Sequence, residues 1–311
     1  MPERSWPHDF KDRLTTPLPT RKDLWRILRE GGFQGRDSKA QDAPRVPRGD
    51  GRLPALAPGQ SSITWVGHAT FIVRTGGLTI LTDPVWSNSL PGRSRRLTEP
   101  GVKWEDLPPV DAVVISHNHY DHQDAPTLRR LGKDVALFVP GGSKPWFLER
   151  GFSNVTEMDW WESAHLKGVK FSFVPAHHWS RRGLFDTCRH LWGGWIMESE
   201  DARLYHAGDT GYGHWFKQIG ERFPGIDVAM MPIGAYAPRW FMKPVHTDPA
   251  EAIQATADVG AHNMASMHWG TFVLTQEPLL EPLEKTRQEW SKTGRPRHQL
   301  WDLALGESRV F

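Results

Sequence analysis

The sequence predicts an α/β fold organised as a single domain, and three observations carry that reading. Short apolar, β-branched runs occur in both halves of the chain, and helical patterns are interspersed among them. The residues able to carry chemistry spread without a break from position 65 to position 270, with no internal repeat or low-complexity tract between them. The 311 residues are therefore read as a basic, partly extended arm over 1–60 and one domain over 61–311.

The arm comes first. Residues 1–50 carry 11 Lys/Arg against 8 Asp/Glu, whereas the whole chain has a net charge of only +2. Trp25-Arg26-Ile27-Leu28 suggests a short helix, and the Gly, Pro, Arg and Asp of 31–58 suggest extended chain. Regular structure starts at Ser62. Runs at 63–66, 70–74 and 78–81, broken by Gly67 and Gly76-Gly77, read as a strand meander. Ala112-Val113-Val114-Ile115 is a continuous apolar run, as a buried strand requires, and 135–139 is similar. A helix is expected over 127–131 between them. Further strands are expected at 169–174, 191–197, 202–206, 228–231 and 264–267. A helix over 249–259 has Asp248 as its N-cap and Pro249 at its first position. A last helix is expected over 279–292.

Composition narrows the function classes. A near-neutral chain does not suggest a nucleic-acid footprint, so no nucleic-acid partner is expected. The single cysteine, Cys188, excludes an intrachain disulfide and a cysteine-based zinc knuckle. No stretch approaches the roughly 20 apolar residues that span a bilayer. The N-terminus has no apolar h-region, so the expectation is a cytoplasmic protein without signal peptide or transmembrane segment. Two excesses need explaining: 15 His, the commonest metal ligand, and 16 Trp, a residue enriched at interfaces.

The histidines concentrate where metal chemistry needs them. Ser116-His117-Asn118-His119-Tyr120-Asp121-His122 directly follows the apolar run 112–115. His117 and His119 can face one ion, while Asp121 and His122 can turn toward a second. Three more pieces each put His or Asp just past an expected strand: Pro175-Ala176-His177-His178-Trp179, His206-Ala207-Gly208-Asp209-Thr210-Gly211 and Ser266-Met267-His268-Trp269-Gly270. Loops at strand ends let a rigid sheet deliver ligands from distant sequence positions. Two adjacent histidines, His177 and His178, compete for one of these places.

The order His-x-His-x-Asp-His, His, Gly-Asp-Thr, His resembles the pattern of metallo-β-lactamase fold hydrolases. Further stretches resemble one branch of that family, the phospholipases D that hydrolyse N-acylphosphatidylethanolamine. These are Trp65-Val66-Gly67-His68-Ala69-Thr70, Leu81-Thr82-Asp83-Pro84, Asp159-Trp160-Trp161-Glu162, and Pro232 through Lys243 with its Gly234-Ala235-Tyr236-Ala237-Pro238-Arg239-Trp240. The resemblance covers residues 60 to 310 and implies a four-layer αββα sandwich. It also implies that one metal takes His117, His119 and His178, the other takes Asp121, His122 and His268, and Asp209 bridges them. Two zinc ions are expected, and the ligand set also suits iron or manganese. The implied reaction is hydrolysis of an N-acylphosphatidylethanolamine to an N-acylethanolamine and a phosphatidic acid by a hydroxide held between the metals. Asp121, Asp209 and His246 take catalytic parts, and His68 and Asp83 lie just behind the ligands. The resemblance further suggests a homodimer.

A lipid enzyme without a spanning helix meets the bilayer peripherally. The segment 85–97 mixes Trp86 and Leu90 with Arg93, Arg95 and Arg96, which suits apolar insertion beside anionic headgroups. Tyr236, Arg239 and Trp240 are candidates for an acyl groove. The rival readings are a soluble phosphodiesterase or lactonase acting on a small phosphorylated metabolite, and a non-catalytic binding protein on the same scaffold.

Overall fold

The computed structural model describes residues 4–32, 45–91 and 95–311. After helix α1 (Arg21–Arg29), strands β1 (Ser62–Gly67), β2 (Thr70–Thr75) and β3 (Leu78–Thr82) form the expected antiparallel meander. Gly76 and Gly77 alone connect β2 to β3, both with positive φ (53° and 74°). A two-residue hairpin of this hand demands that conformation at both central positions, and glycine adopts it without a Cβ penalty. The chain then turns parallel: β4 (Ala112–Val114), α2 (Ala125–Arg130), β5 (Ala136–Pro140), α3 (Lys144–Leu148) and β6 (Val155–Met158).

The second half follows the same plan. Strands β7 (Ser163–Leu166), β8 (Val169–Val174), β9 (Gly194–Glu198) and β10 (Arg203–His206) run antiparallel. Then α4 (Trp215–Arg222), β11 (Val228–Pro232), α5 (Arg239–Met242), α6 (Pro249–Asp258), β12 (Asn263–Met267), α7 (Glu281–Lys292) and β13 (Leu300–Trp301) complete a parallel half-sheet. The last strand, β14 (Ser308–Val310), returns to pair with β1. Two seven-stranded mixed sheets result, ordered β14-β1-β2-β3-β4-β5-β6 and β13-β12-β11-β10-β9-β8-β7.

The core lies between these sheets. Phe138 of β5 stacks on Phe171 of β8 at 4.1 Å between centroids, and Trp195 of β9 packs on Phe173 at 4.7 Å. A second apolar cluster, with Ile72, Leu81, Val113, Leu137, Leu128 and Phe147, fills the outer face of the first sheet beneath α2 and α3. Phe216, Ile219, Ala252, Ile253, Leu283 and Trp290 do the same for the second sheet beneath α4, α6 and α7. The layers are therefore αββα, as the family resemblance implies.

Local chemistry explains the helix boundaries. The Asp248 carboxylate accepts the Glu251 N–H at 3.0 Å and Pro249 opens α6. Asp124 caps α2 in the same way through Thr127. Helix α1 exceeds the four residues suggested by sequence because Thr20 and Asp23 form a reciprocal capping box. The expected strand at 191–197 begins only at Gly194, because Leu191 and Gly193 donate instead to Gly141 and Ser116 carbonyls. The arm is also more firmly docked than an extended leader: Phe10 is buried, and residues 47–49 bond with Leu305. Among the described residues no helix is long and apolar enough to cross a membrane.

Tryptophan serves this architecture as a strut. The Trp65, Trp192 and Trp195 indoles donate to the carbonyls of His68, Ala176 and Ile115 at 2.9, 3.1 and 2.9 Å. Each acceptor lies within, or next to, a loop that carries a candidate ligand. A buried indole N–H needs a partner, and here it braces the loop that supplies one.

Candidate metal centre

The four motif loops leave the C-terminal ends of β4, β8, β10 and β12 and meet at one edge of the two sheets. His117, His119, His178 and Asp209 form one group, and His68, Asp121, His122 and His268 form another. In each, the potential ligand atoms lie within 4.8 Å of one another. His117 Nε2 and His119 Nδ1 are 2.8 Å apart, and His178 Nε2 is 3.4 Å from the latter. Asp209 lies between the groups: one carboxylate oxygen is 3.8 Å from both His117 Nε2 and His178 Nε2 and 3.2 Å from His122 Nε2. The other is 3.1 Å from His268 Nε2. His122 Nε2, His268 Nε2 and Asp209 Oδ1 are buried without a hydrogen-bond partner. Buried polar atoms left unpaired yet aimed at one another are the arrangement a cation satisfies, so these residues fit a metal group.

Neighbours fix the ring orientations. Asp83 Oδ2 accepts from His122 Nδ1 at 2.8 Å and from the Ser116 hydroxyl at 2.6 Å, while that hydroxyl accepts from His117 Nδ1 at 2.9 Å. Both rings thereby turn an Nε2 lone pair inward. His178 Nδ1 donates to the Val245 carbonyl at 3.0 Å with the same result. His68 Nε2 donates to Asp121 Oδ2 at 3.0 Å, and the His68 backbone amide donates to Thr271 Oγ1 at 2.8 Å. His68, Asp83 and His268 all have positive φ (53°, 37° and 62°), a conformation that costs energy in residues with a Cβ and is held here by surrounding hydrogen bonds. Replacing Asp83 with Ala is expected to weaken metal binding about 10- to 100-fold, read by titrating the metal-stripped protein with zinc.

The electrostatics favour a cation. Burial, joined by neighbouring rings, lowers the pKa of His119 to about 3 and that of His178 to about 4, and puts His117 well below its usual range. These rings are neutral and have no proton to surrender to a metal. Burial pushes the Asp121 and Asp209 carboxyls up, but the facing histidines, His122 foremost, outweigh it and hold both well below the carboxylate range. Burial likewise opposes charge on His122, yet Asp209, Asp121 and Asp83 raise it well above an ordinary histidine. The pocket thus demands positive charge, supplied either by a proton on His122 or by a bound cation.

The competing histidines separate cleanly. His178 faces the cluster, whereas His177 turns to the Thr15 hydroxyl at 2.6 Å. His246 Nε2 lies 4.0 Å from Asp209 and forms a third group with Asp209 and His268, so both it and His68 come within ligand distance. Arg239 holds the His246 carbonyl at 2.7 Å and pairs with Asp248 and Glu251, which makes it a brace for the site. Tyr236 is buried and donates to Glu281 at 2.6 Å. Trp240 donates to Glu30 at 2.8 Å and is covered by Arg26.

The membrane loop suggested by sequence is corrected in part. Trp86 is buried, its indole donating to Val102 and packing edge-on to Trp104. Leu90 is buried with Val85 and Phe272. Arg96 turns inward to the Val85 and Ser87 carbonyls, while Arg95 is exposed. Arg93 lies outside the described residues. Loop composition missed these partners because they come from distant segments. It also missed Glu277, whose carboxylate takes the amides of Ala235 and Ala237 and shapes the wall beside His268. No local signal marks Glu277 for that task.

Residues 79–269 match the family model described as the Beta-lactamase superfamily domain. The chain belongs to the β-lactamase superfamily. Within that superfamily it is 41% identical over 243 residues to an N-acyl-phosphatidylethanolamine-hydrolyzing phospholipase D of Caenorhabditis elegans, covering 72% of this chain and 68% of the relative. It is 39% identical over 262 residues to the mitochondrial N-acyl-phosphatidylethanolamine-hydrolyzing phospholipase D of Saccharomyces cerevisiae, covering 80% of this chain but only 55% of the relative. Among solved structures, Igni18, a metallo hydrolase of Ignicoccus hospitalis, superposes with a TM-score of 0.63 at 26% identity, covering 81% of this chain and 98% of its own. This superfamily member is a metallohydrolase.

Proposed function

We propose that the chain is a phosphodiesterase of phospholipase D type that hydrolyses N-acylphosphatidylethanolamine-like lipids with two divalent metals, zinc by preference. The observation that carries this reading is Asp209 standing between two complete ligand groups, in a chain 41% identical to a phospholipase D of that specificity. His117, His119 and His178 would hold one cation, Asp121, His122 and His268 the other, and Asp209 both. Such a pair supplies a water of pKa about 7 and neutralises phosphodiester oxygens.

The remaining work falls to the chain. Ser116 and Asp83 keep the His117 and His122 lone pairs turned inward. Asp121, oriented by His68, takes the proton released by the attacking water. His246, held by burial well below the usual histidine range and so neutral, presents a ring N–H to the substrate phosphate. Water adds to phosphorus, the bond to the ethanolamine oxygen breaks, that oxygen takes up the proton Asp121 received, and phosphatidic acid and the N-acylethanolamine leave. A cleft beside His68 and His268 is walled by Phe272, Val273, Leu274, Pro278 and Leu279 together with the polar Thr275 and Glu277.

The test is hydrolysis of N-acylphosphatidylethanolamine beside bis(4-nitrophenyl) phosphate, with metal content measured on the same sample. Preferential release of N-acylethanolamine, lost on chelation and restored by zinc, is expected. Cleavage of the generic diester alone would replace this reading with the soluble phosphodiesterase.

A further inference from the structure

The sequence placed membrane contact at 85–97, but Trp86 and Leu90 of that segment are buried. The exposed apolar surface lies elsewhere. Five of the eight exposed large hydrophobic side chains among the described residues fall on two short segments: Leu24, Trp25 and Leu28 on α1, and Leu184 and Phe185 in the loop after His178. Their exposures are 45%, 68%, 64%, 77% and 85%. Clustered exposure of this kind marks an interaction surface.

We propose that α1 forms a docking surface for an anionic lipid bilayer, with the Leu184-Phe185 turn as a separate apolar projection. At 100° per residue, Leu24, Trp25 and Leu28 share one side of α1, while Ile27 is fully buried against the protein. Arg21 lies among them at the start of the helix and Lys22 and Arg29 border Trp25, all exposed, and none has an ion-pair partner among the described residues. The local acids are already engaged. Asp23 caps the helix through Thr20, and Glu30 takes the Arg26 guanidinium and the Trp240 indole. A groove between Lys22, Trp25, Arg26, Arg29 and Glu30, in which Glu30 is taken up by Arg26, leaves Lys22 and Arg29 to face a phosphate headgroup. Apolar insertion flanked by unpaired cations is the chemistry by which a helix lies in a bilayer interface.

The second segment is built to project. Asp186 accepts the Arg182 and Gly183 amides at 3.1 and 2.7 Å, which pins the turn and leaves Leu184 and Phe185 outside it. Both segments are tied to the rim of the metal centre. Arg182 donates to the Asn118 and Gln123 carbonyls of the ligand loop, and the end of α1 accepts from Gln276, next to the cleft wall. A second copy of the chain is a poorer occupant, because a two-fold contact would set this cationic helix against itself. Nucleic acid would leave the leucines facing phosphate.

The docking goes beyond the catalytic reading and does not depend on which diester is cleaved. It is tested by sedimentation of the full chain with phosphatidylcholine vesicles, with and without phosphatidylglycerol. The wild type is expected to bind the anionic vesicles. The triple variant Leu24→Ser, Trp25→Ser, Leu28→Ser is expected to bind them at least about tenfold more weakly. The variant Arg21→Glu, Lys22→Glu, Arg29→Glu is expected to lose the preference for phosphatidylglycerol. Hydrolysis of bis(4-nitrophenyl) phosphate is expected to be unchanged in both, since no altered residue touches the metal centre. Equal binding by wild type and serine variant, no binding by wild type, or a wild-type dimer that the serine variant dissolves would each overturn the proposal. A chain that binds vesicles but cleaves no diester would overturn the catalytic reading and leave the docking surface standing.

Discussion

Replacing Asp209 with Asn is expected to reduce hydrolysis by at least about a thousandfold while the protein stays folded. The carboxylate approaches both ligand sets, lying 3.1 to 3.8 Å from four ring nitrogens. The amide removes one negative charge from a buried pocket whose remaining ligand rings are mostly neutral, and it puts an N–H where a lone pair is needed. Metal content should fall with activity, and circular dichroism should match the wild type. His119→Ala should act in the same direction by removing a ligand from the first group. Full turnover in a folded, metal-loaded Asp209→Asn protein would refute the ligand assignment.

Trp195→Ala is expected to cost about 3–5 kcal/mol of stability, the range for truncating a large buried aromatic. Trp195 is completely buried on β9 between Phe138 and Phe173, so its loss opens a void between the two sheets. The substitution also leaves the Ile115 carbonyl without its indole donor. Ile115 immediately precedes the loop that delivers His117 through His122, so the same variant should hold metal more weakly. Urea unfolding followed by far-ultraviolet circular dichroism measures the first effect, and metal titration measures the second. Trp195→Phe fills most of the void but supplies no N–H, so it separates packing from the bracing hydrogen bond.

What was legible in the sequence follows from the range of the forces involved. The meander at β1 to β3, the buried β4 and the capped α6 announce themselves through local pattern: a Gly-Gly turn, an unbroken apolar run, and Asp248 before Pro249. The strands at β6, β7, β13 and β14 are short and lie toward sheet edges, and β7 alternates exposed and half-buried residues. Their pairing is conferred by neighbouring strands, which local periodicity does not reveal. At the site, histidines following apolar runs are visible because sheet ends are where ligands gather. The segment 85–97 misled because a tryptophan among arginines has one composition whether it meets lipid or Val102. The arm's short helix was legible at 25–28, but nothing in its pattern told that Trp25 and Leu28 are exposed.

The candidate ligands come from both sheets: His117, His119, Asp121 and His122 leave the first, and His178, Asp209 and His268 leave the second. A cation held among them is therefore a rivet through the seam between the two halves of the molecule. Its release would be felt along that seam, as faster amide exchange in β4, β10 and β12, before it was felt at the outer helices. Metal supply would then set how tightly the halves are closed as well as whether the site can work.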